Sequence, residues 1–175
     1  MFLTKMLFGL VVGLVLVGSG TGKIGPAKTT NDIAFERLKK LVGDWKIANP
    51  KTDAEKSTVM LRYRLTAADS VLVETEFPDT PKEMMTMFHR DGDQLLLTHY
   101  CGCGNSPHMR ARQGATPNEL IFDFDGGTNL NPNKGFHMHN GLIQFIDDNH
   151  IRSEWEFYVD GKPGGKHSFD LVRKQ

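Results

Sequence analysis

The chain of 175 residues carries 21 basic and 21 acidic side chains. That balance excludes the strongly basic face by which proteins displace counterions from nucleic acid. Its two cysteines, Cys101 and Cys103, close too small a loop to hold a fold together by cross-linking. Stability must come from a hydrophobic core, which a single domain of about 150 residues can bury.

The first 22 residues read as a secretory signal peptide. Lys5 precedes an apolar run from Met6 to Gly18, and the small residues Ser19, Gly20, Thr21 and Gly22 follow. The run is shorter than the roughly 20 apolar residues of a membrane-spanning helix, and a retained N-terminal anchor is the alternative to cleavage. The expected location is secreted or periplasmic, where thiols meet an oxidising environment. Residues 23–30 read as a flexible lead-in and 31–175 as one domain. Nothing after residue 22 reads as membrane-spanning.

One helical pattern follows, from Asn31 to Val42. Ala34, Phe35, Leu38, Leu41 and Val42 recur at helical spacing, Asn31 or Asp32 can cap the start, and Gly43 can end it. Beyond Gly43 the period changes to two. Strands are predicted at Trp45–Ala48, Thr58–Leu65, Val71–Phe77, Met84–His89, Gln94–Cys101, Glu119–Phe124, Phe136–Ile146, Ile151–Val159 and Lys166–Arg173. A further short strand is expected at Met109–Gln113. Asp91-Gly92-Asp93, Asp125-Gly126-Gly127 and Asp147-Asp148-Asn149 supply turns between them. Eight to ten short strands with one helix predict an all-β fold, a single antiparallel β-barrel or sandwich.

Leu41-Val42-Gly43-Asp44-Trp45, a helix leading into Gly-x-Trp at the first strand, resembles the entry of the calycin superfamily of lipocalins, fatty-acid-binding proteins and nitrobindin-like barrels. The resemblance implies a lipocalin-like barrel whose Trp45 closes one end, with Arg173 as the counterpart of the arginine that packs across it. A second resemblance rests on Glu74-Thr75-Glu76-Phe77-Pro78, Thr98-His99-Tyr100-Cys101, Gly104-Asn105, Gly127-Thr128-Asn129-Leu130, His137-Met138-His139 and Arg152-Ser153-Glu154-Trp155. These segments look like a family of uncharacterised secreted bacterial proteins thought to form lipocalin-like barrels, for which no activity is known. Neither resemblance places a haem-binding histidine, so haem has no assigned residue.

Successive strand residues point to opposite faces. Leu95, Leu97, His99 and Cys101 are therefore expected on one side of their strand, and His137, His139, Ile143 and Phe145 on one side of theirs. Each set joins apolar side chains to imidazole or thiol, which describes a core that turns polar at one end. Imidazole and thiolate suit zinc, copper or iron, making His99, Cys101, His137 and His139 the candidate metal ligands. The same four are equally the polar lining of an organic-ligand pocket walled by Leu97, Ile143, Phe145 and Trp155. They also fit a hydrogen-bonded network that serves the fold alone.

A second, local soft-metal set is Cys101, Cys103, His108 and Met109, with copper as its natural occupant. Glu74, Glu76, Glu154 and Glu156 alternate with Val73, Thr75, Trp155 and Phe157 and are assigned to the solvated outer face. The expectation is a secreted small-ligand-binding protein that takes a small molecule or metal ion. A zinc-, copper- or thiol-dependent enzyme built on the same cluster is the alternative.

Overall fold

The computed structural model describes residues 29–175; the signal-peptide reading and most of the lead-in lie outside them. Ten antiparallel strands close into one barrel: β1 (Gly43–Ile47), β2 (Leu61–Thr66), β3 (Val71–Glu76), β4 (Met84–Asp91), β5 (Gln94–Tyr100), β6 (Ser106–Gln113), β7 (Glu119–Thr128), β8 (Phe136–Asp147), β9 (His150–Val159) and β10 (Lys162–Arg173). Each strand pairs with its neighbours in sequence, and β1 closes the ring against β10. Closure leaves no free sheet edge. Among the described residues no helix is long and apolar enough to cross a membrane.

The helix α1 spans Thr30–Lys39, somewhat earlier than the periodicity predicts. Thr29 is the cap: its hydroxyl accepts from the Asp32 amide at 3.1 Å, and Asp32 accepts in return from the Thr29 amide at 2.9 Å. This reciprocal pair satisfies two of the amides that a helix start leaves open. Leu41 and Val42 lie beyond the helix, in the turn that leads into β1. A single-turn helix, α2 (Asp53–Ser57), sits in the β1–β2 connection.

α1 plugs one end of the barrel. Its Phe35 and Leu38 are buried in the same core as Trp45, Leu95, Phe145 and Leu171. Polar ties hold it there: Asn31 Nδ2 donates to the Asp93 carbonyl at 2.7 Å, Arg37 donates to the Pro117 carbonyl at 2.8 Å, and Asp32 pairs with Arg90. Trp45 Nε1 donates to the Leu41 carbonyl at 2.7 Å. Arg173 lies over the Trp45 ring at 4.5 Å and donates to the Val42 and Lys40 carbonyls, both at 2.7 Å. The tryptophan–arginine closure implied by the calycin resemblance is thus present, and the barrel is compatible with that fold.

The middle of the barrel is packed solid. Leu72, Phe88, Leu97, Met109, Phe122 and Ile143 all point inward and are nearly inaccessible, and Phe88 meets Phe122 with ring centroids 5.5 Å apart. Such interiors approach crystal-like density. The room for chemistry lies at the end opposite α1, which we term the mouth.

Candidate functional site

The register of β2, β3, β4 and β5 decides what faces the mouth. Tyr63 stands opposite Glu74, Glu74 opposite Thr86, and Thr86 opposite His99, with no bulge in these pairings. Inward-facing Leu61, Tyr63, Leu72, Phe88 and Leu97 therefore carry Glu74, Glu76, Thr86 and His99 inward with them. Glu74 is 0% exposed, Glu76 5% and His99 1%. The expectation that Glu74 and Glu76 lie on the solvated outer face is overturned. It is Val73 and Thr75 that face outward, and they are buried too, on the face where their register partners are Arg62, Arg64, Met85 and Met87. Glu154 and Glu156 do lie outside: Glu154 pairs with Lys166 at 2.7 Å, and Glu156 accepts from Asn140 Nδ2 at 2.8 Å.

His99 keeps the inward placement that alternation predicts. Its Nδ1 lies 2.9 Å from the Thr86 hydroxyl and 3.7 Å from Glu76 Oε1, and its ring packs 5.6 Å from Trp155. Burial pushes its pKa down to about 4, because imidazolium loses its hydration there; the ring is neutral at physiological pH. Its Nε2 has no hydrogen-bond partner among the described residues. Burial pushes both carboxyls the other way, above the ordinary carboxylate range, and the charge of Glu74 raises Glu76 further. Among the described residues neither carboxyl has a Lys or Arg within ion-pair distance, and His99 is the basic group that lies within that distance of Glu76. Both oxygens of Glu74 and the hydroxyl of Tyr63 are buried without closing a hydrogen bond. The Tyr63 pKa is raised well above its ordinary value, by burial first and by the nearby Glu74 second.

A cavity of about 160 Å³ opens on this acidic floor, bounded by Glu76, Phe77, Met84, Met138, Trp155, His167 and Phe169. Five molecules of liquid water occupy about that volume. Its aromatic walls are fixed by their own contacts. Phe77 and Phe169 meet edge to face at 6.2 Å, and Trp155 Nε1 donates to the buried Ser153 hydroxyl at 3.1 Å. Trp155 lies against Gly141, where a Cβ would stand 3.1 Å from the indole ring; glycine at this site lets the ring approach the β8 backbone. Of the four predicted walls, Trp155 lines this cavity, whereas Leu97 and Ile143 fill the solid middle and Phe145 packs near α1.

The histidines of β8 depart from the prediction. Met138 pairs with Phe157 and Gly141 with Trp155, and a bulge between Met138 and Asn140 inserts one residue. The extra residue reverses the facing beyond it. Met138 therefore takes the inward place next to Trp155, and His137 and His139 do not share a face with Ile143 and Phe145. Instead His137 Nε2 lies 3.0 Å from His139 Nδ1, and the His139 ring stacks on Tyr158 at 3.7 Å and Phe124 at 4.5 Å. His137 is fully covered, but only by this thin layer of rings. Burial lowers the pKa of both histidines, and the neighbouring His137 lowers that of His139 further.

Cys101 follows β5 at the mouth, half-buried, and Cys103 is exposed; both are free thiols, with sulfurs 3.0 Å apart. Burial pushes the Cys101 thiol up to about 11. Among the described residues, no three His, Cys, Asp or Glu side chains converge as metal ligands. The four predicted ligands divide into His99 inside the barrel, the His137–His139 pair under its ring layer, and Cys101 on the mouth turn. Met109 is buried on the inner face, and adjacent His108 falls on the other, so the second soft-metal set is divided as well. Asp125–Thr128 extend β7 and the loop runs on through Gly135 at the mouth end. No protein-family model and no curated protein matches the chain.

Proposed function

We propose that this protein binds a small molecule at the barrel mouth, with Glu76 as the polar anchor and Phe77, Met84, Met138, Trp155 and Phe169 as the apolar walls. One observation carries the reading: a side chain as costly to bury as Glu76 is held 5% exposed, with no Lys or Arg within ion-pair distance among the described residues, on the floor of a cavity with apolar walls. Two larger grooves flank α1, of about 410 and 310 Å³. They combine apolar Leu41, Leu120 and Phe145 with Glu36, Arg37 and Lys40 and hold no buried polar group, so they lack an anchor.

His99 belongs to the anchor as the neutral group beside Glu76, and Cys101 to its rim. The raised Cys101 thiol supports binding over thiol catalysis, since the thiolate is the nucleophile. A metal bound by His99, Cys101, His137 and His139 together is not favoured by the separation of these groups. The Lys5–Gly22 pattern supports work outside the cytoplasm, in the secreted or periplasmic setting of the uncharacterised barrels that the chain resembles.

The test is a fragment screen followed by methyl and indole NMR on the full chain. Shifts concentrated at Met84, Met138 and Trp155 are expected. Shifts confined to Ile33, Arg37 and Phe145 would move the site to the α1 grooves and sink this reading.

A further inference from the structure

Three features of the mouth bear on what kind of molecule it takes, given that the mouth is the binding site. The first is charge. Glu76 and Glu74 face inward from one strand, and among the described residues no Lys or Arg is within ion-pair distance of either. An anionic ligand meets the Glu76 carboxyl there with Glu74 behind it, and a neutral one leaves Glu76 uncompensated. The second is the wall chemistry. Phe77, Trp155 and Phe169 present rings, and Met84 and Met138 present polarisable thioethers, around a single carboxyl. Ring faces carry negative charge density and attract cations, most strongly those with weakly hydrated, methylated heads. The third is size. About 160 Å³ matches a compact head group better than a fatty acyl chain or a tetrapyrrole.

We infer that the mouth recognises a small organic cation of the amine or quaternary-ammonium class, its charge seated against Glu76 and its alkyl groups against Phe77, Trp155 and Phe169. A cation there supplies the counter-charge that the fold itself withholds from Glu76. It competes with the proton for the same carboxyl. The titratable groups around Glu76 are Glu74 on its own strand, Tyr63 on β2, His99 on β5, Cys101 after β5 and His167 on β10. His99 stays neutral, and Tyr63 and Cys101 are held protonated. Between pH 6 and 9 the carboxyls ionise, the floor becomes more negative, and cation affinity rises across that range.

The experiment titrates the full chain with choline, its neutral carbon isostere dimethylbutanol and the anionic dimethylbutanoate, following the Met84 and Met138 methyl signals and calorimetric heat. Choline is expected to bind about ten-fold or more tightly than the neutral isostere, with affinity increasing from pH 6 to 9. Glu76→Gln should fold normally by circular dichroism and erase both the preference and the pH dependence. Equal binding of choline and the isostere at these methyls, or a preference that survives Glu76→Gln, overturns the cation assignment and leaves the mouth as the binding site. Silence of these methyls towards all three probes overturns the assignment and the mouth site together.

Discussion

The two ends of this barrel are built from one sheet and differ in almost everything else. At the α1 end, Trp45 is fully buried in one core with Phe35, Leu38 and Leu171, and its one polar atom is satisfied by the Leu41 carbonyl. Arg173 spreads its charge over a ring and backbone carbonyls. At the mouth, Glu74, Tyr63 and His99 are as deeply buried, yet each retains a polar atom without a partner. An unpaired buried polar group costs about 1–3 kcal/mol. The same strands thus carry a solved packing problem at one end and a held polar expense at the other. Sites of function are where a fold keeps such costs.

The sharpest way to break the comparison is to damage each end equally. Trp45→Ala should cost about 3–5 kcal/mol, as expected for a large side chain removed from a filled core. Met138→Ala, beside an existing cavity, should cost clearly less. Denaturant titration of both variants measures the difference, and equal losses would show that the mouth is as tightly packed as the plug.

pH separates the ends next. Glu74 and Glu76 have folded pKa values of about 7 and about 8 against an ordinary 4.5. Their contribution to stability is complete below pH 4.5 and is lost as pH rises through those values. His99, depressed to about 4, acts in the opposite window and costs stability as pH falls from 6.5. Each group contributes a slope of up to about 1.4 kcal/mol per pH unit within its window. Between pH 4.5 and 6.5 the two carboxyls outweigh His99, so stability should be highest near pH 4.5 and fall up to about pH 8. In Glu74→Gln/Glu76→Gln this alkaline fall should disappear, leaving the loss below pH 6.5 that His99 produces. An unchanged alkaline limb in thermal melts would remove the two carboxyls from the account.

A smaller effect tests how Trp155 is held. Gly141→Ala places a methyl 3.1 Å from the indole ring and should cost about 1–3 kcal/mol by overpacking, with a shift in the Trp155 fluorescence or indole signal. The smallest concerns the rim. Cys103, exposed, should be alkylated about ten-fold faster at pH 8 than half-buried Cys101, whose thiol is raised to about 11. Mass spectrometry of the singly modified chain identifies which sulfur reacted.

The barrel was legible in the sequence because each strand carried its own alternation and its own turn. His99 keeps the inward facing that alternation predicts because β4 and β5 pair without interruption across the Gly92-Asp93 hairpin. Alternation within β3 alone does not say whether Glu74 and Glu76 or Val73 and Thr75 face inward, which is why the outer-face expectation for the two glutamates fails. The neighbouring hairpin holds the missing signal. Four residues, Ala67 to Ser70, separate the paired Thr66 and Val71, so odd positions on β2 meet even positions on β3. Once Leu61, Tyr63 and Leu65 are taken as inward, Glu76, Glu74 and Leu72 must follow. The bulge at His139 had no comparable signal: two alternating histidines look the same with or without an inserted residue, and tertiary packing against Phe124 and Tyr158 decides the outcome.

The contact between Arg173 and the Lys40–Val42 turn has a consequence for biosynthesis. It joins positions more than 130 residues apart, and β1 finds its second partner only in β10. Every other strand can pair with a neighbour as it leaves the ribosome or an export channel; the ring stays open until the final strand arrives. A chain ending before β10 presents two bare edges, at β1 and β9, ready to pair with other molecules. Premature termination here should therefore yield aggregates, and not a shorter working barrel.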